Sequence, residues 1–158
     1  MDERRLLEFQ SDSLQRHAIE FGEWVVRASN SRAQALGHKN LRPAHARFMV
    51  FLGWEGSRIT DIARAMDVTK NAVGQLVSEL EGLGYVERVP DPADGRAKIV
   101  RYTDKGKALI ADAATVAEQL NAEIEEVIGP IRLGELRTML AEICHHFGLG
   151  PVTGGQQK

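Results

Sequence analysis

The chain has 158 residues at 17.5 kDa, 43% hydrophobic and 27% charged, the length and composition of one globular domain and too short for a multi-domain machine. A net charge of −2 gives no global attraction to a polyanion, and the single cysteine, Cys144, excludes an intrachain disulfide or a cysteine-based metal cage. The longest apolar runs, such as Phe48 to Leu52, fall far short of the ~18 to 20 residues that cross a bilayer, and the start MDERRLLEF lacks a signal-peptide core, so a cytoplasmic protein with no membrane partner is expected.

Leu14, Ala18, Phe21, Val25 and Ala28 step by 4, 3, 4 and 3, one stripe of a long first helix placed at about 5–36 and stopped by Leu36-Gly37. Pro43 suits a first helical turn, and Ala44, Phe48, Phe51 and Leu52 mark a short second helix up to the turn at Gly53 to Gly56. Ile59, Ile62, Ala63 and Met66 form a third stripe closed by Asp67, a residue that tolerates the left-handed backbone such a corner can require. Thr69 then offers an N-cap hydroxyl to a fourth helix that buries Val73, Leu76, Val77, Leu80 and Leu83 and is capped by Gly84.

Beyond Gly84 the period changes from about 3.6 to 2. Tyr85 to Val89 and Lys98 to Tyr102 flank the turn DPADG at 91 to 95 as a β-hairpin, with Pro90 marking an edge or the end of pairing. Thr103 starts a long helix with the stripe Leu109, Ala113, Val116, Leu120, Ile124 and Val127, interrupted at Gly129-Pro130. A last helix carries Leu136, Leu140, Ile143 and Phe147, and the glycine-rich stretch 148–158 is expected to be a disordered tail.

Two short helices at a tight corner followed by a basic-tipped hairpin is the order of a winged helix-turn-helix. Charge is distributed to match. From Arg58 to Lys107 nine Lys/Arg stand against eight Asp/Glu, whereas from Ala108 to Phe147 two stand against seven, so the middle is open to phosphate and the end is not. The outward face of the fourth helix is Thr69, Lys70, Asn71, Gln75 and Ser78. Short polar side chains near a helix N-terminus read a major groove, and Asn or Gln can pair bidentately with adenine. Gly74 either admits a close backbone approach or is a tolerated defect. In the hairpin, Arg88, Arg96, Lys98 and Arg101 surround Asp91 and Asp94. Arg96 is the candidate minor-groove contact, and Asp94 is the candidate for holding its guanidinium in place.

The run from Arg58 to Gly106, RITDIARAMDVTKNAVGQLVSELEGLGYVERVPDPADGRAKIVRYTDKG, resembles the winged-helix core of the MarR family of bacterial transcription regulators. The likeness lies in the helix-turn-helix, the GYVER junction, the D-x-x-D-x-R wing and the Thr-x-x-Gly entry into the next helix. It implies a mainly α, α+β winged-helix chain: one domain over 1–147, a DNA-binding lobe at about 43–102, and dimerisation helices at about 5–36 and 104–147. It also implies a homodimer on double-stranded DNA, with Lys70, Asn71 and Gln75 as base or phosphate readers and Arg96 as the wing arginine. Thr69, Ser78 and Lys98 complete the expected DNA-binding set. Gly95, Gly74 and Gln75 depart from residues common in the family, so base preference does not carry over. The resemblance further implies a repressor of a pseudo-palindromic operator, released by a small aromatic or lipophilic effector.

Other chemistries find less support. Cys144 lies beside Ile143 among packing residues with no lysine or arginine within a turn, which favours a buried inert thiol over a redox sensor. His145 and His146 diverge on a helix, and Glu142 with His146 makes a poor two-ligand metal site, so no metal or cofactor is expected. Trp24, His17, His45, Phe48, Phe51 and Trp54 are candidates for an effector pocket, although aromatics in such helices are more often core. No nucleophile elbow, Walker loop or HExxH is present, so no catalytic residue is assigned and an enzyme is not expected. The alternative class is a winged-helix protein-interaction module that works through its acidic C-terminal helices.

Overall fold

The computed structural model describes residues 2–149. In chain order the elements are α1 (Glu3–Ser11), α2 (Leu14–Ala35), α3 (Pro43–Phe51), α4 (Ile59–Met66), α5 (Lys70–Gly82), β1 (Val86–Asp91), β2 (Asp94–Tyr102), α6 (Asp104–Ile128) and α7 (Pro130–His146). The chain is thus mainly helical with one two-stranded antiparallel sheet, a winged helix-turn-helix flanked by long helices. The tail expected from 148 onward falls, beyond Leu149, outside the described residues.

The single first helix expected at about 5–36 is two helices. Ser13 has extended backbone, φ −118 and ψ 147, and its Oγ accepts from the Arg16 N–H at 3.2 Å. A serine satisfies an orphan helical N–H better as a cap than from mid-helix, so α1 stops and α2 begins afresh. The apolar stripe starts at Leu14, which is where the second segment starts.

The corner between α4 and α5 forms as the residues predict. Asp67 is left-handed at φ 54 and ψ 49, and the Val68 N–H closes back on the Ala63 carbonyl at 3.0 Å. Thr69 then caps α5 by accepting from the Ala72 N–H at 3.2 Å. Phe48, Ile62, Met66, Val73, Val77 and Leu80 form the core of this lobe, closed by Tyr85, Val100 and Tyr102 from the base of the hairpin. Leu76 and Leu83, also expected inside, are partly buried against that cluster.

Strand pairing runs from Val86↔Tyr102 to Pro90↔Lys98, with a register shift between Pro90 and Asp91. Pro90 therefore lies within the ladder beside a bulge rather than ending it, since a local irregularity accommodates its missing N–H. Ser57 adds an isolated bridge to Val100, its N–H and carbonyl each 2.9 Å from their partners. The Tyr102 hydroxyl donates to the Met49 carbonyl at 3.0 Å, and burial pushes its pKa up to about 12.

Long helices meet the lobe at two seams. Thr103 caps α6 by accepting from the Gly106 N–H at 3.1 Å while its hydroxyl donates to the Gly84 carbonyl at 2.6 Å. His38, in the loop after α2, lies between the Tyr85 hydroxyl at 3.1 Å and Asp112 of α6 at 2.7 Å. With the carboxylate accepting from Nε2, Nδ1 takes the tyrosine proton. Arg32 of α2 pairs with Glu123 of α6. By contrast α7 buries only Leu133 among its own residues. Leu140, Ile143 and Phe147 of its expected apolar stripe are exposed, and so is Cys144, contrary to the buried thiol the sequence suggested. The stripe was correctly placed on one helix, but nothing among the described residues covers it.

Among the described residues no helix is long and apolar enough to cross a membrane, and no group of three or more His, Cys, Asp or Glu is placed to hold a metal ion.

Candidate nucleic-acid interface

Helix α5 divides cleanly by face. Val73, Val77 and Leu80 are fully buried, while Thr69, Lys70, Asn71, Gln75 and Ser78 are all exposed. Asn71, Gln75 and Ser78 repeat at i, i+4 and i+7, so they share one side. The structure thus brings the sequence candidates on this helix together, and distinguishes two of them. The Thr69 hydroxyl already caps the helix. Ser78 is turned inward: its Oγ donates to the Gly74 carbonyl at 3.0 Å and accepts from Arg88 Nη2 at 3.2 Å.

Arg88 is a positioning residue that sequence reasoning missed. Its guanidinium pairs with Glu81 and reaches the Gly74 carbonyl at 3.2 Å, and its backbone N–H donates to Glu81 at 3.0 Å. It therefore straps β1 to α5 and sets the hairpin against the recognition helix. The opposite charges at 81 and 88 were the available signal, but that spacing spans a turn whose geometry a sequence does not give.

Within the hairpin the cations sort into two groups. Arg101 pairs with Glu87 across the strands at 2.8 Å, and Arg58, before α4, pairs with Asp91 at 2.5 Å. Lys70, Arg96 and Lys98 are exposed and carry no ion pair among the described residues. Asp94 does not hold the Arg96 guanidinium as expected. Its carboxylate accepts from the Arg96 backbone N–H at 3.2 Å and lies 3.6 Å from Arg58. A two-residue separation favours this local turn bond to the backbone over a reach along the side chain. The Arg96 side chain is therefore available to an external anion.

Asp91 locks the wing base. Its carboxylate accepts from the Ala93 N–H at 2.8 Å and from the Arg58 guanidinium, and these two contacts hold its pKa below the ordinary carboxylate range. A depressed folded-state pKa contributes stability that is complete above the unfolded value of ~4 and is lost as pH falls through the folded one. Amide protection in the wing, taken as the exchange rate relative to the intrinsic rate at each pH, is accordingly expected to be high and level across neutral pH and to fall below about pH 4. Asp91→Asn should exchange fast at neutral pH and lose the acid step; a wing in that variant as protected as the parent's would show that the lock is elsewhere.

Beyond its own helix backbone, Gly74 has no atom within 4 Å of where a Cβ would stand, so no contact among the described residues requires glycine there. Gly74→Ala should raise stability by about 1 kcal/mol from helix propensity, read by denaturant titration. If the site admits a nucleic-acid backbone, the same change weakens duplex binding.

Between the lobe and the long helices lies a cavity of ≈ 330 Å³, walled by Val25, Met49, Leu109, Ile110 and Val116 among others and reached by Asn30 and His45. Of the aromatic and histidine candidates named from the sequence, His45 alone lines it. Phe48 is core, while Trp54 and the Phe21–Trp24 stack lie outside its lining. This space is at the lower end of the ~300 to 1,000 Å³ typical of small-molecule sites.

Comparison with known proteins fits this geometry. Residues 39–97 match the model of the MarR family. The HTH-type transcriptional regulator BilQ of Clostridioides difficile (strain CD3) is 28% identical over 78 residues, which cover 49% of this chain and 53% of that protein, so the matched stretch spans about half its length. CouR from Rhodococcus jostii RHA1, solved bound to p-coumaroyl-CoA, is 27% identical with a TM-score of 0.66, over 84% of this chain and 92% of that one. The transcriptional repressor CouR bound to a 23-mer DNA duplex is 26% identical with a TM-score of 0.67, over 86% and 95% of the two chains.

Proposed function

Because this chain belongs to the MarR family of winged-helix transcriptional regulators, we propose that it binds duplex DNA as a homodimer through α5 and the wing, represses transcription, and is released by a small apolar effector. One observation carries the DNA reading. The exposed cations Lys70 on α5 and Arg96 and Lys98 on the wing carry no ion pair, and the exposed amides Asn71 and Gln75 no side-chain hydrogen bond, among the described residues, whereas Arg58, Arg88 and Arg101 of the same lobe are bound by carboxylates. Free cations beside free amides fit phosphate contact next to base reading. The CouR–DNA complex supports the same use of this fold.

Exposed apolar surface supports the pairing of two copies. Leu7, Phe9, Leu14 and Ile19 at the start of the chain and Val127, Ile131, Ile143 and Phe147 at its end are 49% to 82% exposed. Faces of that extent are covered in solution, and helices from both ends of two chains can cover one another. On a two-fold dimer the recognition helices meet half-sites with centres ~10 to 10.5 base pairs apart or a multiple of that. The cavity between α2, α3 and α6 is the effector site of this reading; that CouR was solved bound to p-coumaroyl-CoA supports ligand binding by this fold, not the location or the chemistry of the ligand.

Selection from random duplexes with the purified protein tests symmetry and spacing together, and a monomer or a selected site without two-fold repeats would overturn the dimeric reading. Gln75→Ala is expected to relax preference at one position in each half-site, losing ~1 to 3 kcal/mol of discrimination. Unchanged selection by that variant removes Gln75 from the base readers.

A further inference from the structure

The cavity is apolar except for Ser29, Asn30 and His45, and the last two, 9% and 2% exposed, begin a continuous run of hydrogen bonds to α5. With its amide turned to satisfy its neighbours, Asn30 donates to the carbonyls of Leu41 and Arg42, each at 3.2 Å. The Arg42 N–H donates to His45 Nδ1 at 3.2 Å. That leaves the imidazole proton on Nε2, which donates to Glu79 Oε2 at 2.8 Å. The Arg42 guanidinium closes on the same carboxylate oxygen. Glu79 stands one turn beyond Gln75 on α5 and is held below the ordinary carboxylate range, first by His45 and then by Arg42.

Resting on the reading of this chain as an effector-responsive regulator, we infer that the cavity takes an uncharged, largely apolar molecule bearing one hydroxyl or carbonyl, and that its presence reaches α5 through the His45–Glu79 hydrogen bond. The charge follows from the walls. Among the described residues no Lys, Arg, Asp or Glu lines the cavity, so an anionic ligand gives up its hydration without gaining a cation. The Glu79 carboxylate behind His45 adds to that penalty.

The transmission follows from the ring. Both His45 nitrogens are committed, so the imidazole cannot yield to a ligand without losing one of its two partners. When Glu79 is the one lost, it keeps only Arg42, whose side chain is 56% exposed, and such a pair is weak. The tether from α3 to the recognition helix is then loosened one turn from Gln75. Arg42 and His45 act here as positioning residues, and neither touches nucleic acid in this scheme.

The test uses the full chain and two probes of the same ring and opposite charge state, 2-naphthol and 2-naphthoate at neutral pH. By calorimetry 2-naphthol is expected to bind about tenfold or more tightly than 2-naphthoate, the cost of an unpaired buried carboxylate. By amide exchange it should speed opening of α5. Glu79→Ala should keep naphthol affinity near the parent's while α5 no longer responds, and Arg42→Ala should still respond. Equal or tighter naphthoate binding, no binding of either probe, an α5 unchanged by bound naphthol in the parent, or a full response in Glu79→Ala would each overturn the inference. The first three need no variant to fold. Duplex retardation measured alongside reports separately on the DNA reading: a parent that gives the exchange response yet retards no duplex upholds the tether and sinks nucleic-acid binding.

Discussion

Duplex affinity is expected to fall about a thousandfold between ~50 and ~200 mM salt, with log K against log salt sloping at about −5. The estimate counts Lys70, Arg96 and Lys98 from each of two protomers as phosphate or groove contacts, at about 0.9 of a released counterion each. Of the exposed lobe cations that no carboxylate among the described residues neutralises, these three stand on α5 and the wing, while a fourth, Arg47, is on α3; the acidic residues nearest the wing tip are bound to Arg58 and to backbone N–H groups. Arg96→Ala should weaken binding to specific and random duplexes alike and make the slope less steep by about 2. Fluorescence anisotropy over a salt series measures both. Affinity that ignores salt would favour a protein-interaction module instead, because an interface of the acidic C-terminal helices releases no condensed counterions from a polyanion.

A second large effect is expected where the lobe joins α6. A Cβ on Gly106 would lie 2.0 Å from the Tyr85 carbonyl oxygen, and that oxygen already accepts from the Thr103 N–H at 3.1 Å. The strand cannot retreat, since the buried Tyr85 ring is anchored to His38 through its hydroxyl. Gly106→Ala must then push α6 outward or break the Thr103 bond, at a cost of about 1 to 3 kcal/mol that exceeds the gain in helix propensity of under ~1 kcal/mol. For a chain of this size each kcal/mol lowers Tm by roughly 2 to 4 °C, so the loss is visible in a thermal melt. Set beside Gly74→Ala, expected to stabilise, the pair separates two glycines that look alike in a sequence. A Gly106→Ala melt at or above the parent's would mean that α6 docks differently from the geometry described.

Much was legible beforehand because it depends on neighbours in the chain. The left-handed Asp67, the Thr69 and Thr103 caps, the change of period at Gly84 and the break at Gly129-Pro130 each arise from a side chain acting on backbone within a few residues. Where a local cap competed with a longer periodic pattern, as at Ser13, the pattern was followed too far and the cap won. Asp94 shows the same bias, its carboxylate satisfying the backbone of Arg96 rather than the guanidinium.

The amino-acid order by itself determined the succession of helices, the hairpin and the polar face of α5, since capping, φ preference and hydrophobic period are properties of short stretches. Only tertiary structure decided which cations stay free, because an ion pair such as Arg58–Asp91 joins residues 33 apart. It likewise decided which histidine meets the cavity, why Gly106 has no room for a methyl group, and that α7 leaves its apolar stripe bare. Those outcomes depend on distances between segments that approach one another only when the lobe closes on α6, and no periodicity along the chain encodes such a distance.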